Sequence, residues 1–106
     1  MRQENVKKML KNEGLTSFQV KVLCAVAAIK KGTVRSYKDI AHSIGHPSAY
    51  RAVGTAVGKN PFPVTIPCHR VIKSTGEIGH YSAGGTKRKI ELLKSEGITF
   101  NGLRVA

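Results

Sequence analysis

Between Thr16 and Ile29 the apolar residues Phe18, Val22, Ala25, Val26 and Ile29 return at steps of three and four. That period sets them on one side of a helix and predicts a buried one. Thr16 can cap its start while Gln19 reaches back to the cap, and Lys31-Gly32 ends it. Ahead of it, Val6, Met9 and Leu10 keep helical spacing among lysines, which predicts a short basic helix in the segment 1–15. After it, GTVRS reads as an extended link. Ser36 and Asp39 stand in capping-box positions, and Ile40, Ala41 and Ile44 supply the apolar side of the next helix. The turn Gly45 to Pro47 breaks that helix, and Ser48 is placed to cap another from about Ala49 to Lys59.

Helix, short glycine-containing turn, helix over about 36–59 is the outline of a helix-turn-helix. The outline alone is unspecific, because many helical hairpins share it. The second helix says more. At 100° per residue Ala49, Val53, Ala56 and Val57 share a core-facing side, and Arg51, Gly54, Thr55 and Gly58 lie opposite. A glycine inside a helix costs about 1 kcal/mol relative to alanine. Two of them near an exposed arginine are explained either by close approach of the helix backbone to a partner or by a poorly optimised surface.

From Asn60 the chain runs NPFPVTIPCHRVI, and its three prolines hold an extended loop over about 60–72. Val71 to Lys73, the turn Ser74 to Gly76, and Glu77-Ile78 are expected to form a small hairpin. Gly79 to Gly85 reads as a mobile glycine-rich loop. Thr86 can cap a last helix bearing Ile90, Leu92 and Leu93, which Gly97 terminates. With no repeat, low-complexity tract or linker, residues 1–106 form one domain, mostly α with a small β component.

Composition changes this picture in two ways. Hydrophobic residues make up 41% of the chain and there is no Trp, so the core rests on Val, Ile, Leu and Ala. Eighteen Lys and Arg against six Asp and Glu leave a net charge of +12. Such a basic domain suits a polyanion, either nucleic acid or an anionic membrane surface; solubility alone is the plainer explanation. The longest apolar run, Val20 to Ile29, contains Lys21 and is too short to span a bilayer, and the N-terminus lacks the apolar block of a signal peptide. The chain therefore reads as a soluble intracellular protein.

Two cysteines make neither a disulfide framework nor a Cys-rich zinc site. Cys24, in LCAVAAI, reads as a small core residue. Cys68 stands beside His69, and that pair is a nucleophile with its base, a pair of metal ligands, or a packed loop. A neighbouring imidazole and a basic surface would lower the thiol pKa and favour the nucleophilic thiolate. In a strand, however, adjacent side chains point to opposite sides, so the two cooperate only if the backbone bends or a water bridges them. A third group is expected to orient the imidazole, and position does not choose among Glu4, Glu13, Asp39, Glu77, Glu91 and Glu96. His42, His46 and His80 match no recurrent zinc spacing.

IPCHRVI, preceded by GKNPFPV and followed by GHYSAGG, resembles the active-site region of the methylated-DNA–protein-cysteine methyltransferases, the O6-alkylguanine-DNA alkyltransferases. SYKDIA, SAYRAVG, NPFPVTIPCHRVI, the YS-x-G loop and LLKSEG follow in the family's order, from about Thr16 to Gly97. The resemblance implies a winged-helix-like helix-turn-helix domain of the alkyltransferase type. It implies irreversible, single-turnover transfer of an alkyl group from the 6-oxygen of guanine onto Cys68. His69 would act through a water as base, Glu96 would orient it, and Tyr37 would protonate the departing guanine. Asn60 would brace the turn, Ser82 would hold the guanine oxygen, backbone near Cys68 and Val71 would read the base edge, and Tyr81 would line the pocket.

On the DNA side, the resemblance implies that the second helix enters the minor groove and that Arg51 replaces a flipped nucleotide. Ala49, Tyr50, Ala52, Gly54 and Thr55 would share the contact. The implied partner is double-stranded DNA containing alkylated guanine, met by a monomer, with no cofactor, metal or membrane. The implied compartment is the cytoplasm, or the nucleus in a eukaryote. Many members of the family carry a further domain before this one. Alkyltransferase-like relatives bind the same lesions with another residue in place of the cysteine, so the alternative is a lesion-binding protein without transfer. A glycine often follows the loop serine in the family; here Ala83 does.

Overall fold

Helix α1 (Gln3–Lys11) opens the fold and buries Val6 and Leu10 completely against α2 (Ser17–Ala27). The structure, a computed structural model, describes residues 3–79, 81 and 84–106, and of Gln3 and Glu4 only the backbone. Helix α2 starts with the expected reciprocal cap: Gln19 N–H donates to Thr16 Oγ1 at 3.1 Å, and Thr16 N–H donates to Gln19 Oε1 at 3.0 Å. It ends at Ala27, short of Lys31-Gly32, and two tighter turns carry the chain onward to Thr33. Val20, Val22, Leu23 and Val26 bury this helix at the centre of the core. Cys24 is only partly buried, at the core's edge, a correction to its reading as a core residue.

The helix-turn-helix follows. Strand β1 (Arg35–Ser36) leads into α3 (Tyr37–Ser43), where Asp39 N–H donates to Ser36 Oγ and Ser36 N–H to Asp39 Oδ2, both at 3.0 Å. Helix α4 (Tyr50–Gly58) packs on α2 and α3 through Val53, Ala56 and Val57. Ser48 does not cap it. Ala49 occupies the cap position because a turn closed by Ala49 N–H to His46 O carries the chain past Ser48, and the first amides of α4 have no side-chain acceptor.

Two further expectations are corrected. Strand β2 (Val71–Ile72) pairs in parallel with β1, Arg35 opposite Val71 and Ser36 opposite Ile72, rather than with Glu77-Ile78. Residues 73–77 form a tight turn closed by Lys73 N–H to Glu77 O at 2.9 Å. Likewise α5 (Gly85–Ser95) is preceded by Gly84 at φ +123°, and Thr86 lies inside the first turn instead of capping it. Gly97, at φ +89°, ends α5 as expected, with Gly97 N–H on Lys94 O and Ile98 N–H on Leu93 O. The inner face of α5 is made by Leu93 and, unexpectedly, Lys89, while Ile90 and Leu92 are half-buried. A hairpin of β3 (Phe100–Asn101) with β4 (Arg104–Val105) has no forerunner in the sequence pattern. Among the described residues no helix is long and apolar enough to cross a membrane.

Candidate active site

The chain enters the site through a braced loop. Asn60 donates from Nδ2 to Ile66 O at 2.8 Å and accepts Phe62 N–H on Oδ1 at 2.9 Å, so one side chain ties both ends of the loop. At the loop's exposed apex Val64 has φ +71°, a conformation that a β-branched residue rarely adopts. Pro67 then leads into a single 3-10 turn, Cys68–Arg70. The backbone bends where an extended strand would have sent Cys68 and His69 to opposite sides.

Both residues are buried, His69 completely. His69 Nε2 lies 3.0 Å from Glu96 Oε2 at the end of α5. Arg70 grips the same carboxylate from Nε at 2.9 Å and Nη2 at 2.7 Å, and its Nη1 donates to Ile29 O at 2.7 Å, just past α2. The Arg70 guanidinium, with His69, holds the Glu96 carboxyl down to about 2 despite its partial burial. An ionised carboxylate only accepts, so Nε2 carries the imidazole proton and Nδ1 presents a lone pair. Among the described residues Nδ1 has no hydrogen-bond partner. Burial pushes the His69 pKa below its ordinary value against the pull of Glu96, keeping the ring neutral.

The thiol departs from the sequence-based expectation. Burial pushes the Cys68 pKa up, and the Asn60 amide and the Lys89 ammonium only partly offset this. Desolvation of the anion outweighs the favourable charges, so the resting group is a thiol. Tyr37, at the start of α3, also has its pKa raised by burial and by the proximity of Cys68, and stays protonated. Its ring sits between two glycines. A Cβ on Gly54 of α4 would reach its Cδ1 at 4.0 Å, and one on Gly79 would press its hydroxyl at 3.3 Å. Tyr81 is buried, edge-on to His69 with ring centroids 6.5 Å apart. Ser82 and His80 lie outside the described residues.

Two participants escaped the sequence reading. Arg70 was visible only as the residue after His69. Lys89 is fully buried and donates to Val71 O at 2.6 Å, with its pKa lowered by burial to about 8. Its signal was spacing: Lys89, Leu93 and Glu96 fall at i, i+4 and i+7, one face of α5. The Val71 N–H is itself taken by Cys68 O, so both its backbone groups already have partners.

Arg51 and its neighbours stand elsewhere on the surface. Arg51, Tyr50, Ala52 and Thr55 are exposed on α4, while Ala49 and Gly54 are half-buried. The Lys38 ammonium lies 5.3 Å from the Tyr50 ring centroid.

Fold and site together describe a helix-turn-helix domain that carries a buried cysteine on the turn behind its second helix. Residues 17–98 match the family described as 6-O-methylguanine DNA methyltransferase, DNA binding domain, and the chain belongs to that family. The methylated-DNA–protein-cysteine methyltransferase of Mus musculus is 53% identical over 70 residues, 66% of this chain and 33% of its own. That of Methanothermobacter thermautotrophicus is 42% identical over 89 residues, 84% of this chain and 49% of its own. The chain thus spans between a third and a half of these relatives. Mycobacterium tuberculosis OGT in complex with DNA superposes with a TM-score of 0.76 at 47% identity, covering 78% of this chain and 50% of that one. Atl1 of Schizosaccharomyces pombe in complex with damaged DNA containing O6-carboxymethylguanine gives 0.72 at 33% identity, covering 86% and 87%.

Proposed function

We propose that the protein repairs DNA by direct reversal, moving an alkyl group once and irreversibly from the 6-oxygen of guanine to Cys68. The observation that carries this reading is the ordered series Arg70, Glu96, His69, ending in an Nδ1 lone pair that has no partner among the described residues, on the turn that bears the thiol. Through a bridging water His69 takes the Cys68 proton as Sγ attacks the alkyl carbon. The carbon–oxygen bond breaks, its electron pair stays on guanine, and Tyr37 supplies a proton to the departing base. The thiol proton on His69 makes good the one that Tyr37 gives up, so charge balances and a thioether remains. Lys89 favours the developing thiolate, and a raised resting pKa keeps the thiol unreactive until a base is seated.

An alkyl carbon inside a duplex is out of reach, so the nucleotide must leave the stack first. Arg51 is the exposed side chain suited to fill the gap, on a helix whose Gly54 brings its backbone close to the site. A net charge of +12 supplies phosphate affinity that is indifferent to sequence. Ser82 and Tyr81 complete the pocket for the flipped base, and the protein acts as a monomer on double-stranded DNA, in the cytoplasm or a nucleus.

The test is intact mass after incubation with duplex containing O6-methylguanine. One added methyl group per chain, on the Cys68 peptide, is expected; Cys68→Ser should lose transfer and keep lesion binding. The similarity to Atl1 over most of both chains admits a second reading, lesion binding without transfer, with less support than transfer has. Tight lesion-dependent retention with no adduct at any time would establish it instead.

A further inference from the structure

Residues 99–106 lie beyond the segment matched by the family, and the transfer chemistry asks nothing of them. They are nevertheless tied to the site. The β3–β4 hairpin, closed at its base by Ala106 N–H to Thr99 O at 2.9 Å, lays β4 along residues 76–78. Val105 N–H donates to Gly76 O at 2.9 Å, Ile78 N–H donates to Leu103 O at 3.2 Å, and Glu77 bridges Arg104 in antiparallel register. The Ile78 side chain is buried and anchors this segment in the interior. The next residue is Gly79, at φ +77°, whose open face meets the Tyr37 hydroxyl. Gly79 also begins the loop that leads to Tyr81.

We propose that the C-terminal hairpin is a positioning element for the transfer site: it clamps residues 76–78 so that Gly79 closes against Tyr37. A glycine with positive φ confers freedom, and a chain that reaches the site through it holds one geometry only if the preceding residues are fixed. The two backbone bonds with the hairpin, one from Val105 of β4 and one to Leu103 at its tip, fix them before substrate arrives, so less ordering remains for the binding step. Leu103, exposed at the hairpin tip, has no part in this; its carbonyl does. The proposal rests on the transfer reading above.

The experiment compares the whole chain with one ending at Ile98 and with Val105→Pro, which removes a single donor to Gly76. Single-turnover transfer at saturating methylated duplex is measured beside DNA affinity, each also in a Tyr37→Phe background. Truncation is expected to slow saturated transfer about tenfold, equivalent to about 1.4 kcal/mol of barrier, with affinity changed less than about twofold. In Tyr37→Phe the same truncation should cost less than about twofold, because the hairpin acts through that hydroxyl. An unchanged saturated rate in a folded truncated chain, or equal losses in both backgrounds, overturns the proposal. If the truncated chain does not fold, Val105→Pro carries the same comparison. If the whole chain forms no adduct on Cys68, the transfer reading fails and this proposal falls with it. The clamp itself is then read separately, by faster hydrogen exchange at the Ile78 amide on truncation.

Discussion

His69 has no exposed surface and is held through Glu96 to an arginine that reaches the end of α2, whereas Arg51 stands in solvent on α4 with no ion-pair partner among the described residues. In the first region desolvation is the largest influence on the thiol, the imidazole and the phenol alike, and charges only trim it. In the second, water and salt screen every charge, so on the proposed reading Arg51 would act only once a duplex covers it. On that reading one region would be organised before substrate arrives and the other by it. The difference matches a division between chemistry, which needs a fixed geometry, and search, which needs contacts that form and break quickly.

Breaking the buried side should cost most. Glu96→Gln removes the carboxylate that fixes the imidazole tautomer, and transfer should fall on the order of a hundredfold, with lesion affinity nearly unchanged. Single-turnover kinetics and a binding isotherm read the two separately. The same substitution carries a stability signature. The folded pKa of Glu96, about 2, lies below its ordinary 4.5, so its contribution is complete above about pH 4.5 and lost as pH falls through about 2. Acid melts of Glu96→Gln should lack that component. In the native chain the His69 pKa is lowered, so transfer should hold steady to a lower pH than an ordinary imidazole allows and fall only when Nδ1 protonates.

On the exposed side the expected effect is smaller and conditional. Arg51→Ala should slow repair of duplex about tenfold and of single strands much less, since no gap needs filling there. Equal losses on both substrates would remove the wedge role. The smallest effect belongs to the loop between the two regions. Val64→Gly relieves a β-branched residue at φ +71°, and after glycine's own entropic cost should raise stability by about 0.5–1 kcal/mol, read as a shift in the denaturation midpoint.

Some of this architecture was open to reading residue by residue. The caps at Thr16 and Ser36 were legible because each partner lies three residues away, and the core face of α4 because its period is local. Gly97 was legible as a stop for the same reason. Cys68 with His69 could be singled out by type and adjacency, but its carboxylate could be chosen only through family likeness. Arg70 and Lys89 were passed over because a charged residue reads as surface unless its partner is known, and their partners lie far along the chain. The parallel pairing of β1 with β2 was hidden for that reason too, and two-residue strands leave no alternation to find.

Local order alone therefore determined the caps of α2 and α3, the stop of α5, the apolar face of α4, and that a thiol beside an imidazole sits in a very basic domain. Tertiary structure decided what that thiol is. Only packing buries Cys68 deeply enough to raise its pKa, brings Glu96 and Arg70 behind His69, and sets Tyr37 between Gly54 and Gly79. Desolvation depends on what the whole fold lays over a group, and no stretch of neighbouring residues carries that information.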